Sequence, residues 1–139
     1  MGTSNVQHRT SNVEVVRPRR YDLEERLLDY SAAVIEIVER LPPSRAGNHI
    51  AAQLLKSGTS PLPNHGESQA AESPSDFVHK LRVCLKELRE SLRWLLLIDR
   101  VPKLRAAVNP AILVKETDEL IRIFVASIRT SERKRGCSA

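Results

Sequence analysis

The chain has 139 residues, enough for one domain around one core, and its few aromatic residues, scarce glycine and lack of any period-two stretch argue against a sandwich or a barrel. A core of Leu, Ile, Val and Ala suits packed helices. The net charge is +5, and it belongs to the ends: residues 1–21 and 129–139 each carry four basic residues against one acidic, whereas 22–128 carry 14 against 15, a pattern that fits nucleic-acid contact by tails and fits solubilising ends at least as well.

Residues 1–20 are polar, with scattered valines, and read as a flexible basic arm. A first helix opens near Asp22. Leu23, Leu27, Tyr30, Val34, Ile37, Val38 and Leu41 repeat at three- and four-residue steps, Glu24 and Glu25 suit its first turn, Arg40 suits its last, and Pro42-Pro43 stops it. Ser44 is placed to cap a second helix with Ile50 and Leu54 facing inward, and the short turn makes the two helices antiparallel neighbours. Gly58 interrupts that pattern. Ser60-Pro61 reads as a fresh cap and first helical position, and Pro63 at the third position loses no intrahelical bond, so the second helix is expected to kink near Gly58–Pro63 and run on to about Ala71. Ser60, Asn64 and Glu67 then share one face.

The third helix is the longest. Ser73-Pro74-Ser75-Asp76 is its start signal, and Phe77, Leu81, Cys84, Leu88, Ser91, Leu95 and Ile98 form a heptad seam with no break before Pro102. Roughly opposite the seam, Arg82, Lys86, Arg89, Arg93 and Arg100 fall within about 60° of one another. Such a row can contact phosphates, but a solvated helix face with Glu87 and Glu90 beside it accounts for it more readily. A linker is expected over Lys103–Asn109, then Asn109-Pro110 as cap and first position of a fourth helix through Ile112, Leu113, Glu116, Leu120, Ile121, Phe124 and Ile128. Residues 130–139 read as a basic tail containing Arg133, Lys134 and Arg135. The sum is an all-α protein: an antiparallel up-down-up-down four-helix bundle over 21–129 between two basic ends.

Little in this chain points to catalysis. Cys84 lies on the seam without a placed base, and Cys137 has no partner at metal-ligand or disulfide-framework spacing. His65 has no second ligand at useful spacing, His49 and His79 are isolated, and Glu-x-x-His pairs and phosphate-cradling glycine loops are absent. The expectation is a non-enzyme without metal or cofactor. The longest apolar run, Trp94–Ile98, is far too short for a bilayer, and the cysteine usage fits a reducing cytoplasm. Val78, Trp94 and Leu96 on the third helix, with Val114 and Val125 on the fourth, lie off the main stripes, an excess of apolar surface that points to a homo-oligomer.

Residues 57–98 resemble a known family. Ser60, Asn64 and Glu67, then Ser73, Asp76 and Phe77, then Lys86-Glu87-Leu88 with Glu90, then Trp94-Leu95, are similar to the signature of the small bacterial four-helix bundle proteins grouped with the 23S rRNA intervening-sequence proteins. The likeness extends more loosely from Tyr21 to about Ile128. His65 departs from the pattern, which favours Tyr or an aliphatic residue there. The resemblance implies an antiparallel four-helix bundle assembled into a pentameric ring, no established enzymatic activity, and an RNA connection. A related branch serves as accessory proteins to reverse transcriptases of diversity-generating retroelements.

Three functions remain in view. The first is an oligomeric RNA-binding accessory protein using Arg17, Arg19, Arg20, Arg82, Lys86, Arg89, Arg93, Arg133, Lys134 and Arg135, with RNA or a reverse transcriptase-type protein as partner. The second is a protein–protein scaffold ring that presents the Asn64–Glu67 face or the surface of the third helix to a protein partner. The third, ranked last, is an enzyme with a site at His65 and Glu67. Against a role for Ser60, Asn64 and Glu67 as a binding site stands the simpler one of fixing the kink.

Overall fold

The computed structural model describes residues 22–138, with side chains for 23–136, and among them all regular structure is helical. The helices are α1 (Asp22–Arg40), α2 (Arg45–Thr59), α3 (Pro61–Gln69), α4 (Pro74–Arg100), α5 (Pro102–Val108) and α6 (Ala111–Ser138). α2 and α3 are two limbs of one bent helix, so the described chain is a bundle of five helices. The basic arm expected over residues 1–20, with Arg17, Arg19 and Arg20, lies outside the described residues.

Two caps follow the local chemistry. Ser44 Oγ accepts from Gly47 N at 3.0 Å, and Ser73 Oγ accepts from Asp76 N at 3.1 Å with Pro74 in the first helical position. The bend works differently from the cap expected there. Ser60 keeps helical angles (φ −68°, ψ −37°) and caps nothing; Asn64 Nδ2 donates back to it, to the carbonyl at 3.0 Å and the hydroxyl at 2.9 Å. The prolines at 61 and 63 lack the amides that would reach the carbonyls of Ser57 and Thr59, and the Asn64 side chain adds a second bond to the Ser60 carbonyl, which already accepts from Asn64 N at 3.2 Å. Gly58 sits on the inner side of this bent rod. A Cβ there would stand 2.8 Å from both methyls of Val34, so a side chain is absent at this contact between α1 and α2.

Two stretches depart from expectation. The linker over Lys103–Asn109 is the helix α5, which starts with Pro102 at its first position and buries Leu104 and Val108 one turn apart. Asn109 therefore ends α5, in the left-handed region at φ 39°, and does not cap α6 as a conventional N-cap before Pro110; its Oδ1 still accepts from Ala111 N at 3.4 Å. The tail expected from residue 130 is helical, because α6 continues through Ser138.

Around the bundle the order of packing is α1, α2–α3, α4, α6, with only light contact between α1 and α6. Neighbouring rods run antiparallel. Arg82 of α4 lies opposite Glu132 of α6, whereas Arg89 and Arg93 lie opposite Asp118 and Ile121. Leu27, Leu54, Leu88, Leu95, Ile98 and Leu120 are fully buried in the core, and all of the expected seam on α4 is buried except Phe77, whose place in the first turn is taken by Val78. Through this apolar core runs one polar layer. Ser57 of α2, Ser91 of α4, Tyr30 of α1 and Thr117 of α6 are each almost wholly shut from water, so each of the four long rods supplies one hydroxyl. Ser57 and Ser91 are 2.8 Å apart, and Tyr30 and Thr117 are 2.7 Å apart.

Candidate nucleic-acid interface

α4 presents Arg82, Lys86, Arg89 and Arg93 to solvent, as its seam dictates. Because α6 is antiparallel and stays helical to Ser138, its basic end returns alongside the first half of α4. Exposed Arg129, Arg133, Lys134 and Arg135 therefore belong to the same end of the bundle as Arg82 and Lys86. The two helices are pinned there by the ion pair between Arg82 and Glu132. Arg129 does not stand out in the sequence; its signal is the i, i+4 spacing to Arg133, which carries weight only once the tail is known to be helical.

The basic row on α4 is divided by what α6 places beside it. Lys86 has no acidic partner among the described residues. Arg89 and Arg93, one turn apart, line a groove of about 330 Å³ between α4 and α6 together with Leu92, Leu96, Asp118 and Ile121. Asp118 is itself held by Arg122 at 3.0 Å. The groove thus combines apolar side chains with two arginines and one carboxylate. Arg82 and Lys86 look toward the basic end of α6, and Arg89 and Arg93 look into the groove.

The Asn64–Glu67 step is committed to the fold. Asn64 holds the bend, and Glu67 Oε1 accepts from Lys80 Nζ at 2.7 Å, raising the Lys80 pKa through that hydrogen bond. His65 points inward from the same turn. Its ring is buried, with Nδ1 3.1 Å from Glu24 Oε1 and its plane edge-on to Phe124 at 6.1 Å between centroids. An aromatic or aliphatic side chain would fill the same space; here the imidazole also ties α3 to α1. His49 and His79 are exposed, and His49 packs edge-on against Trp94 at 5.8 Å.

Burial pushes the Cys84 thiol up to about 12, and its Sγ lies 3.6 Å from the Pro61 carbonyl oxygen, so it packs as a small neutral side chain against the bend. Among the described residues no group of three or more His, Cys, Asp or Glu could hold a metal ion, and no helix is long and apolar enough to cross a membrane. Of the apolar residues set off the main stripes, Val78 belongs to the core, and Trp94 and Val114 pack partly buried against it. Leu96 is 49% exposed.

No protein-family model matches the chain, and no curated protein matches it. Its fold is that of a solved structure from Bacteroides thetaiotaomicron, a protein of unknown function from the S23 ribosomal protein family. The TM-score is 0.64 over 76% of this chain and 96% of that one, at 24% sequence identity. The family resemblance read at residues 57–98 thus has a structural counterpart, and at this identity the likeness is one of fold.

Proposed function

We propose that this chain is a non-enzymatic, oligomeric bundle protein of the 23S rRNA intervening-sequence kind, and that it binds RNA at the end of the bundle where α4 begins and α6 ends. One observation carries the reading. Arg82 and Lys86 from α4, and Arg129, Arg133, Lys134 and Arg135 from α6, are exposed at a single end, with Glu132 spent on Arg82. Two rigid helices holding basic residues in fixed register are a better phosphate-contacting surface than a loose tail, because less side-chain and backbone freedom is lost on binding. Such contacts recognise backbone and shape and carry no base sequence. The fold likeness to a protein of the S23 ribosomal protein family supports an association with RNA, although that relative has no assigned function.

Oligomerisation belongs to this reading, because repeated copies would present several basic ends to one RNA and multiply a weak contact. The test is a titration of a labelled structured RNA, read by fluorescence anisotropy, with the wild-type chain and with Arg82→Glu/Lys86→Glu and Arg133→Glu/Arg135→Glu variants. Saturable wild-type binding that both variants lose supports the proposal; binding indifferent to these four residues overturns it.

A further inference from the structure

The end of the bundle opposite the proposed RNA contact is basic as well. There α1 stops, α2 starts, α4 stops and α6 starts, because the rods are antiparallel: Pro61 meets Cys84, Ser57 meets Ser91 and His49 meets Trp94. α5 touches both α4 and α1, which are not neighbours around the bundle, so it crosses this end from one side to the other. Its Leu104 and Val108 turn into the core, which leaves Lys103, Arg105, Ala106 and Ala107 in solvent.

The segments that meet here, residues 39–46 and 99–112, hold five basic residues against two acidic, Glu39 and Asp99. Arg40, Arg45, Arg100, Lys103 and Arg105 are all exposed, and none of them is in an ion pair among the described residues. One turn further in, Lys115 offsets Glu36, and Glu116 is held by Arg26. At the same end stands Ile112, 86% exposed, more than any other large apolar side chain described. It lies in the first turn of α6 with Leu113 turned to the core. Side chains of a helix tilt toward its N-terminus, which here is the free end of the bundle.

Phosphate recognition accounts for the cations but not for the isoleucine, because a sugar–phosphate backbone gives Ile112 no apolar surface to pack on. A bilayer of anionic phospholipid accommodates both: headgroup charge meets Lys and Arg, and an apolar side chain enters the acyl boundary just below. We propose that this end of the bundle docks on an anionic phospholipid surface, with Arg40, Arg45, Arg100, Lys103 and Arg105 at the headgroups and Ile112 inserted beneath them. One inserted side chain with a few cations gives weak, reversible attachment. The docking does not depend on RNA binding. α4, 27 residues long, holds the two ends about 40 Å apart, several screening lengths at physiological salt, so substitutions at one end leave the field at the other unchanged.

The test is co-sedimentation of the full chain with sucrose-loaded vesicles, of phosphatidylcholine alone or with an equal part of phosphatidylglycerol, at low and moderate salt. Circular dichroism checks folding, and every substituted side chain is exposed. The wild type is expected on the mixed vesicles only, with binding that falls as salt rises. Lys103→Glu/Arg105→Glu is expected to abolish that binding, and Ile112→Ser to weaken it about tenfold at either salt. Arg133→Glu/Arg135→Glu, at the other end, is expected to leave it unchanged.

A chain that binds mixed vesicles in this pattern and binds no RNA upholds the docking while removing the RNA reading. No binding to mixed vesicles, or binding that Lys103→Glu/Arg105→Glu leaves intact, overturns the docking. Ile112→Ser binding as tightly as the wild type overturns it too, because surface charge alone then explains the attraction. Loss of RNA binding by Lys103→Glu/Arg105→Glu in a chain that ignores vesicles gives this end to RNA and also overturns it.

Discussion

The hydroxyls of Tyr30 and Thr117 stand 2.7 Å apart in a part of the bundle that water does not reach. They join the first long helix to the last, which otherwise touch only lightly. Thr117 Oγ1 also lies 2.6 Å from the Leu113 carbonyl oxygen, to which it can donate, leaving its oxygen to accept from Tyr30. Thr117→Val keeps the shape and removes the partner. It is expected to cost about 1–3 kcal/mol of unfolding free energy, the penalty of stranding a buried hydroxyl. Tyr30→Phe should cost about 1 kcal/mol, and the double variant less than the sum of the two. A urea double-mutant cycle reads these values; additive costs would mean that the two hydroxyls do not act on one another.

Alkaline pH should unfold this bundle in a definite window. Burial pushes the Tyr30 phenol up from 10.0 to about 12, against the opposing hydrogen bonds to Thr117 and Ser91, and burial pushes the Cys84 thiol up from 9.0 to about 12. Both groups are kept neutral by the fold. Below pH 9 they are neutral in the folded and unfolded chain alike, and their contribution is fully present. Between pH 9 and 12 the unfolded chain loses protons that the folded chain retains, so stability falls as pH rises, by up to about 1.4 kcal/mol for each unit of separation. Denaturant unfolding at pH 8, 10 and 11 checks this. Tyr30→Phe should flatten the portion above pH 10, and a stability that is level to pH 11 would contradict it.

Gly58 and Val34 set the distance between α1 and α2. Gly58→Ala raises helix propensity but drives a methyl to within 2.8 Å of both Val34 methyls, and the crowding is expected to win, with a net loss of about 1–2 kcal/mol. Val34→Ala opens space at the same point, so the double variant should be more stable than the two separate losses predict. Thermal melts of the four proteins decide it. A stabilised Gly58→Ala would mean that the two helices separate at little cost.

The bend and the exposed pair beside it should respond differently. Asn64→Asp is nearly isosteric but cannot donate to Ser60, and it is expected to cost about 1 kcal/mol. Glu67→Gln breaks an exposed ion pair with Lys80 and should change stability by less than about 0.5 kcal/mol. If both variants fold and still bind RNA as the wild type does, this turn serves the scaffold. Loss of binding in either one, with stability intact, would move the site to α3.

Much of the bundle is legible in the spacing of apolar residues. The α4 seam from Leu81 to Ile98, the caps at Ser44 and Ser73, and the break after Gly58 all follow from local chemistry. α5 is hidden because seven residues hold only two inward positions, Leu104 and Val108, too few for periodicity to register. The helical end of α6 is hidden because Thr130–Ser138 carries no apolar stripe of its own; its register is held in part by Arg82 reaching Glu132, a pairing fifty positions apart in sequence. Local rules also misassign Ser60, where Ser-Pro signals a cap but the helix bends through. The basic residues are visible singly. Their division between the α6 end and the α4–α6 groove depends on which helix lies beside α4, and that is a tertiary fact.

The most direct measurement is the salt dependence of RNA binding, for the wild type and for an Arg133→Ala/Lys134→Ala/Arg135→Ala variant. If the α4–α6 end binds phosphates, log K falls linearly with log salt concentration, and the variant's slope is shallower by about 0.7–0.9 for each phosphate that is no longer neutralised, about 2–3 in all. A wild-type slope near zero, or a slope unchanged by the three substitutions, would contradict the account.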